Sequence, residues 1–168
     1  YVSAKEKQLN MVFQFDVVDI GFGKTHKYET TPKNYTLSNL KDAIGRTQSL
    51  IQGTDAWTTV FMENHDQARS VSRFTNDSPQ HRVAGAKLLA LLQACLSGTQ
   101  YVYQGQEIGS VNAPKESHSL ENYIDIESYL FLDMVRKRSN NDEQEFDKAF
   151  NAVQHLARDH ARIPICLN

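Results

Sequence analysis

Two patterns of apolar residues alternate along the first hundred residues of the chain. Dense apolar runs rich in valine, phenylalanine, tyrosine and threonine occupy residues 10–18, 57–62 and 99–103, and each ends near glycine or polar residues. This pattern is typical of β-strands. Between the runs, apolar residues recur at a helical period over 36–51 and again over 83–97, which predicts two amphipathic helices.

The second predicted helix has clear boundary signals. Ser78 is a good N-cap, Pro79 is a good first helical residue, and Gly98 provides a C-terminal stop. Two further helical patterns follow, over 125–139 and over 142–162. The chain shows no internal repeat and no low-complexity segment.

The order strand, helix, strand, helix, strand predicts βαβ units, a parallel sheet and the α/β fold class. The run 57–62 is apolar at nearly every position, which suits a strand covered on both faces. In such folds ligands bind beyond the carboxyl ends of the strands. Polar clusters follow two of the predicted strands, at 63–67 and 104–109, and we expect them to face one pocket.

Composition and charge narrow the class of partner. The chain has 168 residues, of which 40% are hydrophobic and 23% charged, as in a soluble globular protein. A net charge of -2 offers no basic face, so we expect no nucleic-acid partner, and Arg136–Arg138 suits a helix C-terminus. No apolar run reaches the length of about 18 residues that a membrane helix needs, so we expect no membrane partner.

Neither cysteine predicts a metal site. Cys95 and Cys166 are far apart and have no metal-ligand spacing. Cys95 lies within the apolar stretch LLALLQACL, so we expect a buried thiol.

The segment ENHD places Glu63, Asn64, His65 and Asp66 directly after a predicted strand. A metal site at His65 and Asp66 has no second histidine or cysteine at ligand spacing. A nucleophilic triad has no G-x-S-x-G turn to carry it. A structural interpretation has Asp66 or Asn64 closing a turn and His65 satisfied in the core.

The remaining interpretation is recognition of a polyol. A carboxylate beside an imidazole can bind adjacent sugar hydroxyls while an arginine balances the carboxylate charge. A negative Asp66 also favours positive charge at an anomeric carbon, as in an oxocarbenium-like transition state. Phe15, Tyr101 and Tyr103 are candidates for a stacking face, although each alone is better suited to a core.

Several motifs carry a family resemblance. QFDVVDIG (14–21), FMENHDQARSVSRF (61–74), GTQYVYQGQEIG (98–109) and LARDHARIP (156–164) occur in this order. Together they resemble the α-amylase family of glycoside hydrolases, in particular fungal maltases and oligo-1,6-glucosidases. The resemblance runs over 1–164, and it implies a partial catalytic (β/α)8 TIM barrel with about strands six to eight. It also implies retaining cleavage of α-linked glucosides.

The resemblance implies six site residues. Asp66 matches the third catalytic carboxylate, which holds sugar hydroxyls and stabilises the transition state. Glu107 matches a position that is mainly architectural. The resemblance implies an oligosaccharide substrate and a monomeric full-length form. We expect no cofactor and assign no metal ligand in these segments, while calcium dependence stays open. The implied substrate-binding residues are Asn64, His65, Gln67, Arg158 and Arg162.

The chain lacks two segments that a retaining glycosidase needs. Neither the motif of the carboxylate nucleophile nor that of the acid/base glutamate is present, and a whole barrel takes about 250 residues. We therefore expect a piece of an α-glucosidase that begins just after the acid/base strand and is inactive alone. An open sheet edge would make this piece unstable or aggregation-prone.

Three questions stay open at the level of sequence. Residues 165–168 depart from the family's RTPMQW pattern, so they form a divergent tail. The preference for α-1,4 or α-1,6 linkages is not encoded in the segments present. The alternative to a hydrolase is a non-catalytic barrel relative that serves as a carbohydrate-binding or interaction module.

Overall fold

The computed structural model of the protein describes residues 2–165, so Cys166 and most of the predicted tail lie outside the described residues. Five α-helices and two short strands form its regular structure, with three 3₁₀ helices between them. The α-helices and strands are α1 (Leu37–Ser49), β1 (Thr59–Val60), α2 (Ser70–Phe74), α3 (Arg82–Ala94), β2 (Thr99–Gln100), α4 (Ile126–Arg138) and α5 (Glu143–Leu156). The 3₁₀ helices are Gln106–Ile108, Leu120–Asn122 and Arg158–Arg162.

The strands β1 and β2 are parallel, as the alternating pattern predicts. Thr59 lies opposite Thr99 and Val60 opposite Gln100, and the backbone N–H of Tyr101 extends the ladder by donating to Val60 O at 2.9 Å. Parallel neighbours of this kind need a crossover connection, which α2 and α3 supply.

The first predicted strand, over 10–18, is wrong for most of its length. Val12 forms a single parallel bridge to Thr58, so this segment does lie beside β1. Beyond it the backbone N–H of Asp19 donates to Phe15 O at 2.9 Å and closes a turn. Local turn bonds therefore satisfy the backbone where the apolar pattern predicts strand pairing.

Gly98 sets the close approach between α3 and β1. Its φ of +140° is a conformation that side chains rarely tolerate, and a Cβ at this position would lie 2.8 Å from Val60 Cγ2 and 2.9 Å from Thr58 O. The predicted stop at Gly98 is wrong by about one turn, since α3 ends at Ala94 with Cys95 as its C-cap, and Gly98 instead immediately precedes β2.

Helix α1 forms where the sequence predicts it. Thr36 is the N-cap, with its side chain accepting from the Asn39 N–H, while Asn39 Oδ1 accepts from the Thr36 N–H at 2.8 Å. This reciprocal capping box defines the start of the helix. Ala43 and Thr47, four residues apart, are buried on one face.

Helix α3 begins later than its signals predict. The carbonyl of Ser78 accepts from the N–H groups of His81 and Arg82, both at 2.9 Å, so 78–81 forms a turn and the first helical residue is Arg82. The predicted start at Pro79 is therefore wrong by one turn.

The prediction of a buried Cys95 is also wrong, because this thiol is exposed. The buried face of α3 consists of Gly85, Leu89 and Gln93, which recur every four residues. Cys95 lies two residues beyond Gln93, about 200° around the helix axis, and so points away from the buried face.

Helices α4 and α5 pack against each other over the larger of two apolar clusters. Each has an aspartate N-cap, Asp125 for α4 and Asp142 for α5, and α4 ends in the basic run Arg136–Arg138 as predicted. The continuous helix predicted over 142–162 is wrong. Ala157, with ψ of 137°, breaks it after α5, and the chain continues as the 3₁₀ helix Arg158–Arg162.

Many large apolar side chains are exposed in the described part of the chain. They include Leu88 and Leu91 on α3 and Val102 and Ile108 near β2. An apolar surface of this kind is typical of an element that packs against further structure. The low stability of the isolated chain stays a prediction.

None of the helices in residues 2–165 combines the length and the apolar character that crossing a membrane requires.

Candidate functional site

The turn after β1 presents two polar side chains at the surface. Asn64 Oδ1 accepts from the backbone N–H of Asp66 at 2.8 Å, which closes the turn. The side chains of His65 and Asp66 are 68% and 43% exposed. The structural interpretation is therefore confirmed for Asn64, but it is wrong for His65, which lies outside the core.

Three cationic or polar groups surround the Asp66 carboxylate. Oδ1 accepts from Arg158 Nη1 at 2.7 Å and from Arg162 Nη2 at 3.1 Å. Oδ2 lies 3.1 Å from His65 Nε2. A carboxylate offers about four lone-pair positions, so one position on Oδ2 stays open toward solvent.

These neighbours keep Asp66 ionised. Partial burial raises the pKa of the carboxyl, but the hydrogen bond from Arg158 and the charges of His65, Arg158 and Arg162 outweigh burial, so the pKa lies below its usual value. The same contacts raise the pKa of Arg158, first through Asp125 and then through Asp66. The result is a stable negative charge with one open acceptor position.

A second carboxylate, Asp125, completes the surroundings of the two arginines. Its Oδ2 accepts from Arg158 Nε and lies 3.9 Å from Arg162 Nη1, and its side chain is only 5% exposed. Sequence reasoning missed this residue as part of the site. Its position before an apolar helical pattern indicates an N-cap, but no local signal indicates a contact 33 residues away with Arg158.

The carboxylate of Glu63 has a different environment. It is fully buried and binds Arg69 Nη1 at 2.9 Å, while Ser70 N and Oγ donate to its other oxygen, both at 2.6 Å. The same Arg69 nitrogen donates to Gln104 O at 2.8 Å. The polar clusters after β1 and β2 are thus joined by a buried ion pair, which is an architectural link.

Glu107 also has an architectural contact, because its carboxylate accepts from the Gly105 N–H at 2.9 Å and lies beside α3. The prediction that the polar clusters at 63–67 and 104–109 face one pocket is wrong for Glu107. This residue lines a groove beside α3, and Asp66 does not line that groove.

Gln67 is buried, and its Oε1 accepts from Arg73 Nη1 at 3.1 Å. Arg73 is itself buried, which lowers its pKa to about 10. Contact of Gln67 with substrate stays a prediction. In the structure its side chain is buried and bonded to Arg73.

Lys27 binds the backbone of the turn that carries Asp66. This residue was not identified from the sequence. Its Nζ donates to Asp66 O at 3.3 Å and lies 3.9 Å from Glu127. Burial is the main cause that lowers its pKa, with Glu127 opposing the shift. No local pattern identifies it, since it belongs to the loop before α1.

The three candidate stacking residues differ in surroundings. Phe15 and Tyr101 are exposed, and they belong to an edge-to-face aromatic cluster with Phe13 and Phe61. Tyr103 instead lies under the Arg69 guanidinium at 5.4 Å and donates its hydroxyl to Ala161 O at 3.1 Å. Tyr103 therefore has a structural contact set, while Phe15 and Tyr101 stay available to a ligand.

The metal interpretation of His65 and Asp66 requires a third ligand. Within residues 2–165, no group of three or more histidine, cysteine or acidic side chains is arranged to hold a metal ion. The charge partners that the structure gives Asp66 are Arg158 and Arg162.

One protein-family model matches the chain. Residues 1–167 match "Alpha amylase, catalytic domain". The chain is 45% identical to an alpha-glucosidase of Candida albicans over 168 residues, covering 98% of this chain and 29% of that protein. It is 38% identical to an oligo-1,6-glucosidase of Saccharomyces cerevisiae over 165 residues, covering 98% of this chain and 27% of that protein. The chain thus spans under a third of the length of these curated relatives.

Solved structures agree with this comparison. The chain superimposes on isomaltulose synthase from Klebsiella sp. with a TM-score of 0.87 at 30% identity, covering 100% of this chain and 29% of that one. Isomaltulose synthase from Erwinia rhapontici gives a TM-score of 0.85 at 26% identity, covering 98% and 28%.

Proposed function

Because this chain belongs to the alpha-amylase catalytic-domain family of TIM-barrel glycoside hydrolases, we propose that it is part of an α-glucosidase. The substrate class is terminal α-linked glucose of maltose-type or isomaltose-type oligosaccharides. The curated relatives include proteins named alpha-glucosidase and oligo-1,6-glucosidase, so the proposal covers both substrate types.

One observation carries the proposal: the ionised Asp66 carboxylate is accessible and keeps an open lone pair on Oδ2. Arg158 and Arg162 occupy the other oxygen, Oδ1. A sugar hydroxyl can therefore donate to Oδ2 beside His65 without displacing either arginine. A buried structural carboxylate would have no such position.

Asp66 acts on the transition state in this proposal. As the glycosidic bond breaks, positive charge spreads over the anomeric carbon and ring oxygen, and a fixed carboxylate stabilises that charge. His65 contacts the same sugar through its exposed ring, and Arg158 and Arg162 hold the carboxylate in place. The nucleophile and the acid/base residue belong to other segments of the retaining enzyme, so this chain alone is inactive.

We propose that the chain supplies about strands six to eight of the barrel, as its family motifs imply. Three extended segments lie side by side in parallel, at Val12, at β1 and at β2, and they occur in this order along the chain. The turn that carries Asp66 follows the middle one, at its carboxyl end. This is the side on which TIM-barrel enzymes bind their substrates.

The test is Asp66→Asn in the full-length enzyme that contains this segment. Asparagine keeps the shape but removes the charge, so kcat on maltose or isomaltose should fall by about 10³-fold or more while the thermal melt is unchanged. The matched control is Asp133→Asn, a comparably exposed aspartate paired with Lys137 on α4, which should leave kcat unchanged.

Retention of more than a few per cent of kcat by Asp66→Asn would overturn this role. If wild-type enzyme binds oligosaccharide but releases no glucose, the carbohydrate-binding alternative replaces the hydrolase.

A further inference from the structure

We propose that Asp125 is a positioning residue, which fixes the guanidinium of Arg158 so that one oxygen of Asp66 stays open for substrate. This inference rests on the proposed function, because it concerns how the Asp66 site is kept in its working geometry. Neither the motifs nor the family description points to Asp125.

Arg158 bridges two carboxylates. Its Nε donates to Asp125 Oδ2, and its Nη1 donates to Asp66 Oδ1 at 2.7 Å. A guanidinium is planar and its N–H groups are fixed in a fork, so two bonded points define the direction of the whole group. Asp125 therefore determines which edge of Arg158 reaches Asp66.

Asp125 is itself immobilised on both sides. Its Oδ1 accepts from the Glu127 N–H at 3.0 Å as the N-cap of α4. Asp159 Oδ1 accepts from the backbone N–H groups of Ile124 and Asp125 at 3.0 and 3.1 Å. The neighbouring residues Arg158 and Asp159 thus bind the side chain and the backbone of Asp125, which fastens the 3₁₀ helix to the start of α4.

The two carboxylates differ in exposure, and this difference assigns their roles. Asp125 is buried, whereas Asp66 is open to solvent. Without Asp125, the free Nε of Arg158 can turn toward Asp66 and form the two-point contact that arginine prefers with carboxylates. That contact would occupy Oδ2, the oxygen that the substrate needs.

The experiment is Asp125→Asn in the full-length enzyme. Asparagine is as good an N-cap as aspartate, so the start of α4 is retained while the charged anchor for Arg158 is lost. We expect kcat to fall by about 10- to 100-fold, with a smaller change in KM. Because Asp125 is buried and loses its charge in this variant, the melting temperature is measured as well, and kcat is compared at a temperature well below it. Misplacement of a catalytic group by about 1 Å is enough for such a loss.

The chain offers a matched control. Asp142 is the N-cap of α5 and accepts from the N–H groups of Gln144 and Glu145, but it has no contact with either arginine. Asp142→Asn should keep kcat within about twofold of wild type, since it changes an equivalent cap at a distance from the site.

A double-mutant cycle separates positioning from general structural damage. If Asp125 acts through Arg158, then Asp125→Asn added to Arg158→Met should lower kcat by no more than about twofold further. A full additional 10-fold loss in that background would overturn the proposal, and so would an Asp125→Asn enzyme with wild-type kcat.

Failure of this inference is distinguishable from failure of the proposed function. An inactive Asp66→Asn enzyme together with a fully active Asp125→Asn enzyme would overturn only the positioning role. An active Asp66→Asn enzyme would remove the proposed function itself.

Discussion

Glu63 and Asp66 are three residues apart in one segment, and each is paired with arginine, yet their environments are opposite. Glu63 is 1% exposed and accepts three hydrogen bonds, from Arg69 and from two groups of Ser70. Asp66 lies at the surface and keeps an open position on Oδ2. A carboxylate is paired with arginine in both places, but the Glu63 pair is buried and the Asp66 pair is open to solvent.

This contrast shows what burial does to an ion pair. A buried pair has already lost its water, so removing one partner leaves an uncompensated charge in the interior. An exposed pair contributes little to stability, but its charge and lone pairs are available to a ligand. We therefore expect substitutions at Glu63 to change stability and substitutions around Asp66 to change turnover.

The largest effect should come from Glu63→Gln. It leaves Arg69 buried without its counter-charge, which should lower the free energy of unfolding of the full-length enzyme by about 3–5 kcal/mol. Chemical denaturation measures this loss, while kcat of the enzyme that stays folded should change only a few-fold.

Replacing both partners tests the same explanation. Glu63→Met combined with Arg69→Met removes the charge imbalance, so it should recover part of the lost stability. A single Glu63→Gln enzyme with a wild-type unfolding midpoint would contradict the comparison.

An intermediate effect should separate the two arginines of Asp66. Arg158 makes the shorter bond, is 27% exposed and has the second anchor at Asp125, whereas Arg162 is 46% exposed. Arg158→Met should therefore lower kcat by about 100-fold and Arg162→Met by about 10-fold, because misplaced groups cost on this order.

Steady-state kinetics of the two full-length variants on one substrate measure this difference. Equal losses, or a larger loss for Arg162→Met, would show that exposure does not rank the contributions of these arginines.

The smallest expected effect is on the pH dependence of stability, and it concerns a buried and an exposed histidine. His65 is exposed, while His160 is buried and bonded to Ala113 N, Gln154 O and the Tyr123 hydroxyl. Burial is the main cause that lowers the pKa of His160 to about 4. Between pH 6.5 and 4, the His160 imidazole is therefore neutral in the folded chain but protonated in the unfolded chain. Its contribution to stability is complete above about pH 6.5 and is lost as the pH falls toward 4.

The measurement is the urea midpoint at several pH values for wild type and His160→Gln. His160→Gln lowers the midpoint at pH 7 but should show a weaker decline between pH 6.5 and 4. A His160→Gln enzyme whose midpoint declines as steeply as that of wild type would contradict the assignment.

Local features of the fold could be predicted from the sequence because local interactions define them. The capping box at Thr36 and the apolar period place α1, and Asn64 closes its turn by a bond to a residue two positions away. The parallel order of Val12, β1 and β2 followed from alternating patterns. Overprediction of the first strand came from turn bonds that satisfy the backbone locally.

Burial and long-range contacts could not be predicted in the same way. The helical pattern continues through Ala157, and yet α5 ends there because the buried side chains of Asp159 and His160 bond outside their own helix. The exposure of Cys95 depends on which face of α3 meets its neighbours. Glu63 and Asp66 look equivalent in sequence because side-chain type does not encode solvent access.

The family, the turn that carries Asp66 and the residue types able to bind a sugar could be inferred from short motifs alone, because their signals span a few residues. Three features emerged only from the folded chain: Asp125 meets Arg158, Glu63 is buried, and Oδ2 of Asp66 stays open. Each of these depends on contacts between segments far apart in the chain, where packing rather than local order determines which polar groups meet.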